Sequence, residues 1–339
     1  MKIRLFSLLL ALLLLTGCAV PGQSSRQVYT ATFIDVFNTV TTIRGYADSE
    51  EAFTQTAQSI HDELLRYHQL FDIYNRYEGI VNLKDINDAA GGDALRVDGD
   101  IIQLLKQCKE YYALTDGKVN AAMGSVLQLW HEARTDAYNN PLNAYLPDRQ
   151  ALEEAAKHTD FDLVILDEEK STVRICDPAV QLDVGAIAKG WATQKVAENA
   201  PKGLLISVGG NVCATGPKDD GSAWVVGIQD PNGEAYLHTV YVESGCVVTS
   251  GDYQRTYPVD GKFYHHIIDP STLYPSEYFR SVTIICADSA LADALSTALF
   301  VLPLEEGMAL AEKCGVEALW LHTDGTRSYT PGFEKLIRT

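Results

Sequence analysis

The feature that most constrains the fold is a series of short apolar runs between residues 162 and 287. The runs are rich in Val, Ile and aromatic residues, and turn-forming segments such as Asp-Glu-Glu-Lys, Asp-Pro and Pro-Asn-Gly separate them. Such runs predict β-strands, most of them joined by hairpins. The predicted strands cover residues 163–166, 172–176, 204–208, 224–229, 236–242, 263–268 and 282–287.

Helical periodicity precedes and follows this region. After an acidic turn that begins at Asp48, apolar residues such as Phe53, Ala57 and Ile60 recur at near-helical spacing. Further helices are predicted over residues 100–114, 289–302 and 305–314, and a last strand over 318–321. This order indicates an α+β fold with a mostly antiparallel sheet. The length suggests about two domains, but the composition shows no second boundary, so one domain is predicted over residues 31–339.

The amino terminus has the pattern of an export signal. Two basic residues precede an unbroken apolar run, which ends at Thr16-Gly17-Cys18. The run is too short to span a bilayer permanently. A small residue followed by Cys suits cleavage before a lipid-modified cysteine, so we expect a signal peptide over residues 1–17, lipidation of Cys18 and a flexible tether up to residue 30. The alternative is an ordinary secreted protein with an incidental cysteine.

Charge and cysteine content narrow the function further. The net charge of −18 argues against binding to nucleic acid and against charge-driven binding to anionic lipid. The cysteines other than Cys18 show no CxxC or Cys/His spacing, which argues against a zinc site. Most of them lie in apolar, strand-like runs and are expected to behave as small core residues. A disulfide remains possible in an exported protein, but the sequence names no pair.

Three polar segments could carry chemistry. The first, residues 181–190, reads as a strand end, a small-residue turn and a helix that begins near Ile187. Free N–H groups at that helix start, with Lys189 in the first turn, suit a phosphate, and Asp183 could accept hydrogen bonds from a ligand. The alternative is a tight strand-to-helix corner with a surface lysine.

The second segment is a predicted helical face that carries Asp293, Ser296 and Thr297 at positions i, i+3 and i+4. One carboxylate with hydroxyl and carbonyl oxygens is a donor set that Mg²⁺ accepts, because water and substrate phosphates complete its coordination. The alternative is a purely structural arrangement in which Thr297 bonds back to the carbonyl of Asp293.

The third segment contains His265 and His266 before an Asp-Pro pair. Strand alternation would put the two rings on opposite faces, so they should not chelate one metal together. One of them is a candidate general base. The alternative is one exposed histidine and one hydrogen-bonded core histidine.

Read in order, these segments resemble the ApbE family of FAD:protein FMN transferases over nearly the whole chain after residue 31. The matching segments are 71–75, 182–190, 207–211, 224–231, 249–255, 265–270 and 292–299. The resemblance implies an ApbE-like α+β fold in a lipoprotein on the extracytoplasmic face of a bacterial membrane. It also implies that the protein cleaves FAD, transfers FMN to a threonine of an extracytoplasmic acceptor protein and releases AMP.

The resemblance assigns roles to particular residues. It implies that Phe37, Tyr74, Lys118, Val119, Asn120, Asp183, Lys189 and the backbone of Ile267 contact FAD. It implies that the carbonyl of Ala186, together with Asp293, Ser296 and Thr297, surrounds Mg²⁺, and that His266 is the base. Charge neutralisation, positioning and a base are what attack on a diphosphate requires.

The chain departs from the family pattern at three places. Phe37-Asn38-Thr39 replaces Met-Gly-Thr, Val119-Asn120 replaces a Phe-Asp or Met-Asp pair, and Leu273 replaces a glycine in a turn. Two other functions remain open on sequence alone: an FAD pyrophosphatase that forms FMN and AMP, and a flavin-binding lipoprotein without catalytic activity.

Overall fold

The structure, a computed structural model, describes residues 26–233 and 235–338. The predicted signal peptide, Cys18 and most of the predicted tether lie outside the described residues. Within the described part, no helix is long and apolar enough to cross a membrane.

The described residues form eight α-helices and fifteen strands. The helices are α1 (Glu50–Phe71), α2 (Leu83–Asp88), α3 (Gly99–Leu114), α4 (Gly124–Asn139), α5 (Arg149–Ala155), α6 (Ala188–Asn199), α7 (Ser289–Val301) and α8 (Leu304–Cys314). The strands are β1 (Gln27–Val36), β2 (Thr39–Ala47), β3 (Leu95–Arg96), β4 (Val164–Asp167), β5 (Thr172–Ile175), β6 (Leu204–Val208), β7 (Asn211–Ala214), β8 (Trp224–Gln229), β9 (Tyr236–Val242), β10 (Gly245–Gly251), β11 (Tyr257–Val259), β12 (Lys262–Tyr264), β13 (Phe279–Cys286), β14 (Glu317–His322) and β15 (Arg327–Tyr329).

One eight-stranded sheet organises the fold, in the order β1-β2-β6-β7-β10-β13-β14-β15. Every neighbouring pair in it is antiparallel. The hairpins β8–β9 and β11–β12 and a three-stranded sheet, β3-β5-β4, are separate. The α+β class and the mostly antiparallel sheet predicted from sequence are therefore confirmed.

The two faces of the large sheet are covered differently. Cys246 and Val248 of β10 pack into a core with α1, α3, α6 and α7, whereas Val247 between them packs against the β8–β9 hairpin. This is the period of two expected of a strand buried on both faces. Full burial of a side chain such as Val248 stabilises the fold by about 1.5–3 kcal/mol relative to exposure.

A third apolar cluster joins α4 to the β11–β12 hairpin and the turn that follows it. Trp130 of α4 is buried, and its indole N–H donates to the carbonyl of Leu273 at 2.9 Å. Leu273 holds a left-handed φ of 65°, the conformation for which glycine is usual, and it is nearly buried. The turn that lacks its glycine therefore still forms, because Leu273 packs beneath Trp130.

Most predicted elements agree with the structure to within three residues, but two predictions were wrong. The tether predicted up to residue 30 overlaps β1, whose first residue is Gln27, because that segment pairs with β2 and Tyr29 stacks on Phe53. The strand predicted over residues 263–268 ends at Tyr264, because the ring of His265 turns inward and bonds the backbone of Ser276.

The sequence left the disulfide pairing open, and the structure shows one disulfide among the described residues. Cys213 of β7 and Cys246 of β10 are directly opposite in the sheet and form a disulfide. Cys108, Cys176, Cys286 and Cys314 are free. The far end of β10, at residues 249–251, lines the first of the two cavities described next.

Candidate active site

Two adjoining cavities lie between the residue 183–189 corner, α4, α7 and the turn after β10. Their volumes of about 170 and 270 Å³ together fall in the range of about 300–1,000 Å³ typical of small-molecule sites. We call the residues that line both cavities the shared wall. They are Tyr74, His131, Arg134, Asp183, Gly185, Lys189 and Arg255.

The corner before α6 is held by hydrogen bonds on both sides. The side chain of Asn87 in α2 bonds both the N–H and the carbonyl of Leu182, at 2.7 and 2.9 Å. The carboxylate of Asp183 accepts from the N–H of Gly185 at 2.8 Å. Burial raises the pKa of Asp183, against the opposing influence of that N–H and of nearby basic groups. The corner thus presents a preorganised carboxyl group to both cavities.

An ion pair fixes the neighbouring wall. The ammonium group of Lys189 lies 3.2 Å from Oδ1 of Asp293, and the N–H of Gly190 donates to Oδ2 at 2.8 Å. A Cβ on Gly190 would lie 2.3 Å from the carbonyl oxygen of Ser289 and 2.4 Å from Cβ of Asp293. Only glycine therefore lets α6 and α7 approach closely enough to make these bonds.

The predicted metal ligands separate into two groups. Ala186, Asp293 and Thr297 line the first cavity. Ser296 does not, because its fully buried hydroxyl lies 2.8 Å from both the carbonyl of Asp293 and the hydroxyl of Ser250. The structural alternative predicted that Thr297 would donate to the carbonyl of Asp293. In the structure, the hydroxyl that donates to this carbonyl is that of Ser296. The Ser296 hydroxyl is thus engaged within the fold, whereas Ala186, Asp293 and Thr297 reach the cavity.

The two histidines of the third segment have different surroundings. Nε2 of His265 donates to the carbonyl of Ser276 at 2.8 Å, and its Nδ1 accepts from the N–H of Ile267 at 3.2 Å, so both ring nitrogens are occupied. Nδ1 of His266 lies 3.2 Å from the carbonyl of Gln254, which makes Nδ1 the protonated nitrogen. Nε2 of His266 has no hydrogen-bond partner among residues 26–233 and 235–338, and the side chain lines the first cavity.

Burial and charge keep the His266 ring neutral. Its pKa is lowered to about 3, first by burial and then by Arg255, His265 and Arg134. A neutral imidazole with one bonded N–H can accept a proton at Nε2. Of the two candidate histidines, only His266 has this arrangement.

Other predicted flavin contacts also line the first cavity. Lys118 reaches it while bonding the hydroxyl of Ser271 at 2.7 Å. The side chain of Asn120 is used within the fold, because it donates to the carbonyl of Thr159 and accepts from the N–H of Ala122, both at 2.8 Å. Val119 is buried beside it. The N–H of Ile267 donates to His265, and its carbonyl accepts from the N–H of Ser276 at 3.2 Å, so a ligand could use only the second lone pair of that carbonyl.

The aromatic residues predicted to contact FAD lie toward the second cavity. Phe37 lines it and has a left-handed φ of 52° in the turn between β1 and β2. Tyr74 belongs to the shared wall, and its ring stacks on His131 with a centroid distance of 4.7 Å. Burial raises the pKa of the Tyr74 hydroxyl to about 12, so it remains protonated at neutral pH.

Three basic residues of the shared wall were not singled out from the sequence. His131 and Arg134 come from α4, and Arg255 follows β10. One signal was present: Leu127, Trp130, His131 and Arg134 recur at i, i+3, i+4 and i+7, so one face of α4 continues from apolar into basic side chains.

The sequence, fold and site together define the class. The chain belongs to the ApbE family, whose sequence profile matches residues 37–320.

Named relatives and solved structures agree with this assignment. The chain is 34% identical to the FAD:protein FMN transferase of Treponema pallidum (strain Nichols) over 324 residues, which cover 89% of this chain and 87% of the relative. It is 32% identical to the enzyme of the same name from Klebsiella pneumoniae (strain 342), over 77% of this chain and 83% of the relative. The crystal structure of the ApbE protein from Thermotoga maritima superposes with a TM-score of 0.82 at 32% identity, and covers 92% of this chain and 100% of that one.

Proposed function

We propose that this protein is an FAD:protein FMN transferase that moves the FMN half of FAD to a threonine hydroxyl and releases AMP. One observation carries the proposal: the available nitrogen of His266 belongs to the same cavity as Lys189, Asp293 and Thr297. A base therefore shares one enclosed space with a cation and with hard oxygen donors, which are the groups that phosphoryl transfer requires.

The proposed reaction exchanges the phosphoanhydride bond of FAD for a phosphoester bond to threonine. The threonine oxygen forms a bond to the phosphorus of the FMN half, and the bridging bond between that phosphorus and the AMP phosphate breaks. The electron pair leaves with AMP. Nε2 of His266 takes the hydroxyl proton, because Nδ1 is already committed to the carbonyl of Gln254. Lys189 would offset negative charge on the transferring phosphoryl group.

The residues present fit a magnesium ion. Asp293, Thr297 and the carbonyl of Ala186 supply three hard oxygens on one cavity. One carboxylate is a typical protein contribution for Mg²⁺, which keeps waters and binds substrate phosphates. No cluster of three or more His, Cys, Asp or Glu side chains suited to a metal occurs in the described ranges, so the donor set fits Mg²⁺ better than zinc. When bound, Mg²⁺ would supply neutralisation of phosphate charge.

The same proposal covers location. Residues 1–17 are proposed to be a lipoprotein signal peptide and Cys18 the lipidated residue, which would place the enzyme on the extracytoplasmic face of the cell membrane with its acceptor protein. Metabolic labelling with a fatty-acid analogue should modify the wild-type protein and not the Cys18→Ser variant. Equal labelling of both would contradict the anchor.

An acceptor-mass experiment tests the reaction. Purified protein, FAD, Mg²⁺ and a threonine-bearing acceptor domain are incubated, and the intact mass of the acceptor is measured. We expect a gain equal to one FMN phosphoester, with AMP released. Free FMN without a mass gain would favour a pyrophosphatase, and tight FAD binding without any product would favour a flavin-binding lipoprotein.

The role of His266 has its own test. Loss of a general base lowers turnover by about 10²- to 10⁴-fold, so His266→Ala should bind FAD and scarcely transfer FMN. His238→Ala is the matched control, because His238 lies on β9, on the opposite face of the large sheet. Near-normal transfer by His266→Ala would remove it from the mechanism.

A further inference from the structure

We propose that Arg134, Arg255 and His131 form an anion clamp that holds the diphosphate of FAD where the two cavities meet. The inference rests on the proposed function, since it names the part of the FAD molecule that the shared wall binds.

Arg134 is directed to the cavities by the local structure of α4. It follows Trp130 by one turn of helix, and Trp130 is anchored on Leu273. A guanidinium N–H of Arg134 donates to Nδ1 of His131 at 3.0 Å. Because Nδ1 of His131 accepts this bond, its Nε2 is the protonated nitrogen and can donate to an anion. Burial lowers the pKa of His131, in keeping with a neutral ring.

The charge of Arg134 is not compensated by a carboxylate. Within the described ranges, no Asp or Glu oxygen lies within 4 Å of its guanidinium group. The group is partly withdrawn from water, and burial lowers its pKa. A cation taken out of water without a counter-ion is costly, so its presence in a cavity wall points to an anionic ligand.

Arg255 reaches the same wall from the turn after β10. The turn is tied down at one end by the 2.6 Å ion pair between Asp252 and Arg280. The carbonyl of Gln254 in this turn accepts a hydrogen bond from Nδ1 of His266. Arg255 itself has a left-handed φ of 48°. Arg255 also lacks a carboxylate partner in the part of the chain that the structure describes. One turn therefore positions both His266 and a second uncompensated arginine.

The form of the site indicates which anion is held. Lys189 is paired with Asp293, and Asp183 is the one carboxyl group within the shared wall, so the two arginines leave that wall with excess positive charge. A cavity extends on each side of this wall. A ligand with two flat halves joined by an anionic link matches that arrangement, and in FAD the link is the diphosphate. Arginine suits it, because the guanidinium fork can bond two phosphate oxygens together.

A comparison of two ligands tests the clamp. Binding of FAD and of riboflavin, which has no phosphate, is measured by flavin fluorescence with Mg²⁺ present, in a His266→Ala background so that FAD is not consumed. The variants are Arg134→Met, Arg255→Met and the charge-conserving Arg134→Lys. Arg149→Met is the control, because Arg149 of α5 is exposed, pairs with Glu153 and lies over the ring of Tyr274, away from both cavities.

Each methionine variant should weaken FAD binding by about 10- to 100-fold, the value of one charge-assisted contact. Riboflavin binding should be unchanged, Arg134→Lys should recover part of the loss, and Arg149→Met should match the parent. Unchanged FAD binding in both methionine variants would overturn the clamp. Parallel loss of FAD and riboflavin binding would also overturn it, since that indicates structural damage.

The outcome is separable from that of the proposed function. If wild-type protein flavinylates the acceptor but the arginine variants bind FAD normally, only the clamp fails. If the arginine variants lose FAD selectively but wild-type protein never modifies an acceptor, only the transferase activity fails.

Discussion

The two charged walls of the site differ in how their charges are balanced. On the α6–α7 wall, Lys189 and Asp293 neutralise each other, and the N–H of Gly190 completes the carboxylate's hydrogen bonds. On the wall formed by α4 and the turn after β10, Arg134 and Arg255 have no carboxylate partner within the described residues. The charges of the first wall are balanced without a ligand, whereas those of the second face a nearby carboxyl group, Asp183, only beyond ion-pair distance, so an anionic ligand would balance the excess.

This difference implies a division of roles. Removal of a group from the balanced wall leaves its partners unsatisfied, so it should damage the fold as well as the reaction. Removal of an arginine from the wall formed by α4 and the turn after β10 removes the desolvation cost of an unpaired cation. It should therefore weaken ligand binding without lowering the free energy of unfolding.

The largest effect is expected on the balanced wall. Asp293→Ala leaves Lys189 without its counter-ion and the N–H of Gly190 without its acceptor, so we expect transfer to fall by about 10³-fold or more and the free energy of unfolding to fall by about 1–3 kcal/mol. Any residual activity should no longer depend on Mg²⁺. Asp293→Asn should lose activity similarly but less stability, because an amide oxygen can still accept from Gly190. Wild-type activity in either variant would refute the role of this wall.

The close approach of α6 and α7 gives a second prediction. Gly190→Ala must push the helices apart, which should cost about 1–3 kcal/mol of stability and, by displacing Lys189 from Asp293, roughly 10²-fold in transfer rate. Gly99→Ala is the control, because Gly99 is helical and a Cβ there meets nothing within 4 Å. Chemical denaturation and initial rates measure both effects. Equal stability of the two variants would show that the helices are not held by this contact.

A third prediction concerns pH. His266 must be neutral to accept a proton, so activity is lost as pH falls through its pKa. In the free enzyme that pKa is about 3, because burial, Arg255, His265 and Arg134 all lower it while the Gln254 carbonyl opposes them. Bound diphosphate favours the imidazolium form, so the acid limb of kcat should lie at higher pH than that of kcat/KM for FAD. Coincident limbs would contradict the placement of the diphosphate beside His266.

The smallest expected effect is on stability, and its sign should differ between the two walls. Arg134→Met removes an uncompensated, partly buried cation, so the free energy of unfolding without ligand should be unchanged or higher by up to about 1 kcal/mol. Urea denaturation in the absence of FAD measures it. A loss of stability comparable to that of Asp293→Ala would mean that Arg134 supports the fold beyond its hydrogen bond to His131 and that the comparison of the walls is wrong.

The sequence predicted the sheet more reliably than the site. Strands such as β6, β8 and β9 were predicted to the residue, because alternating apolar side chains and turns are local signals. The inward turn of His265 was missed, because it depends on the carbonyl of Ser276, eleven residues away. Ser296 shared a helical face with Asp293 as predicted, yet its hydroxyl is taken by Ser250 of β10. Helical spacing alone could not reveal that partner.

The basic residues of the shared wall show the same limit of prediction from local sequence. His131 and Arg134 looked like the polar continuation of an amphipathic helix, and Arg255 lay at the end of a matching segment without a role of its own. Their significance comes from convergence across more than a hundred residues of sequence. Composition even argued in the opposite direction, because the net charge of −18 disfavours acidic ligands unless positive charge is concentrated locally.

The most direct test of this account is an FAD-bound structure of the His266→Ala variant. The account predicts that the diphosphate lies at the shared wall, within hydrogen-bond distance of Arg134 and Arg255, with the FMN phosphate facing Lys189 and the position vacated by the imidazole. A diphosphate bound elsewhere, with either ring system of FAD against the two arginines, would contradict it.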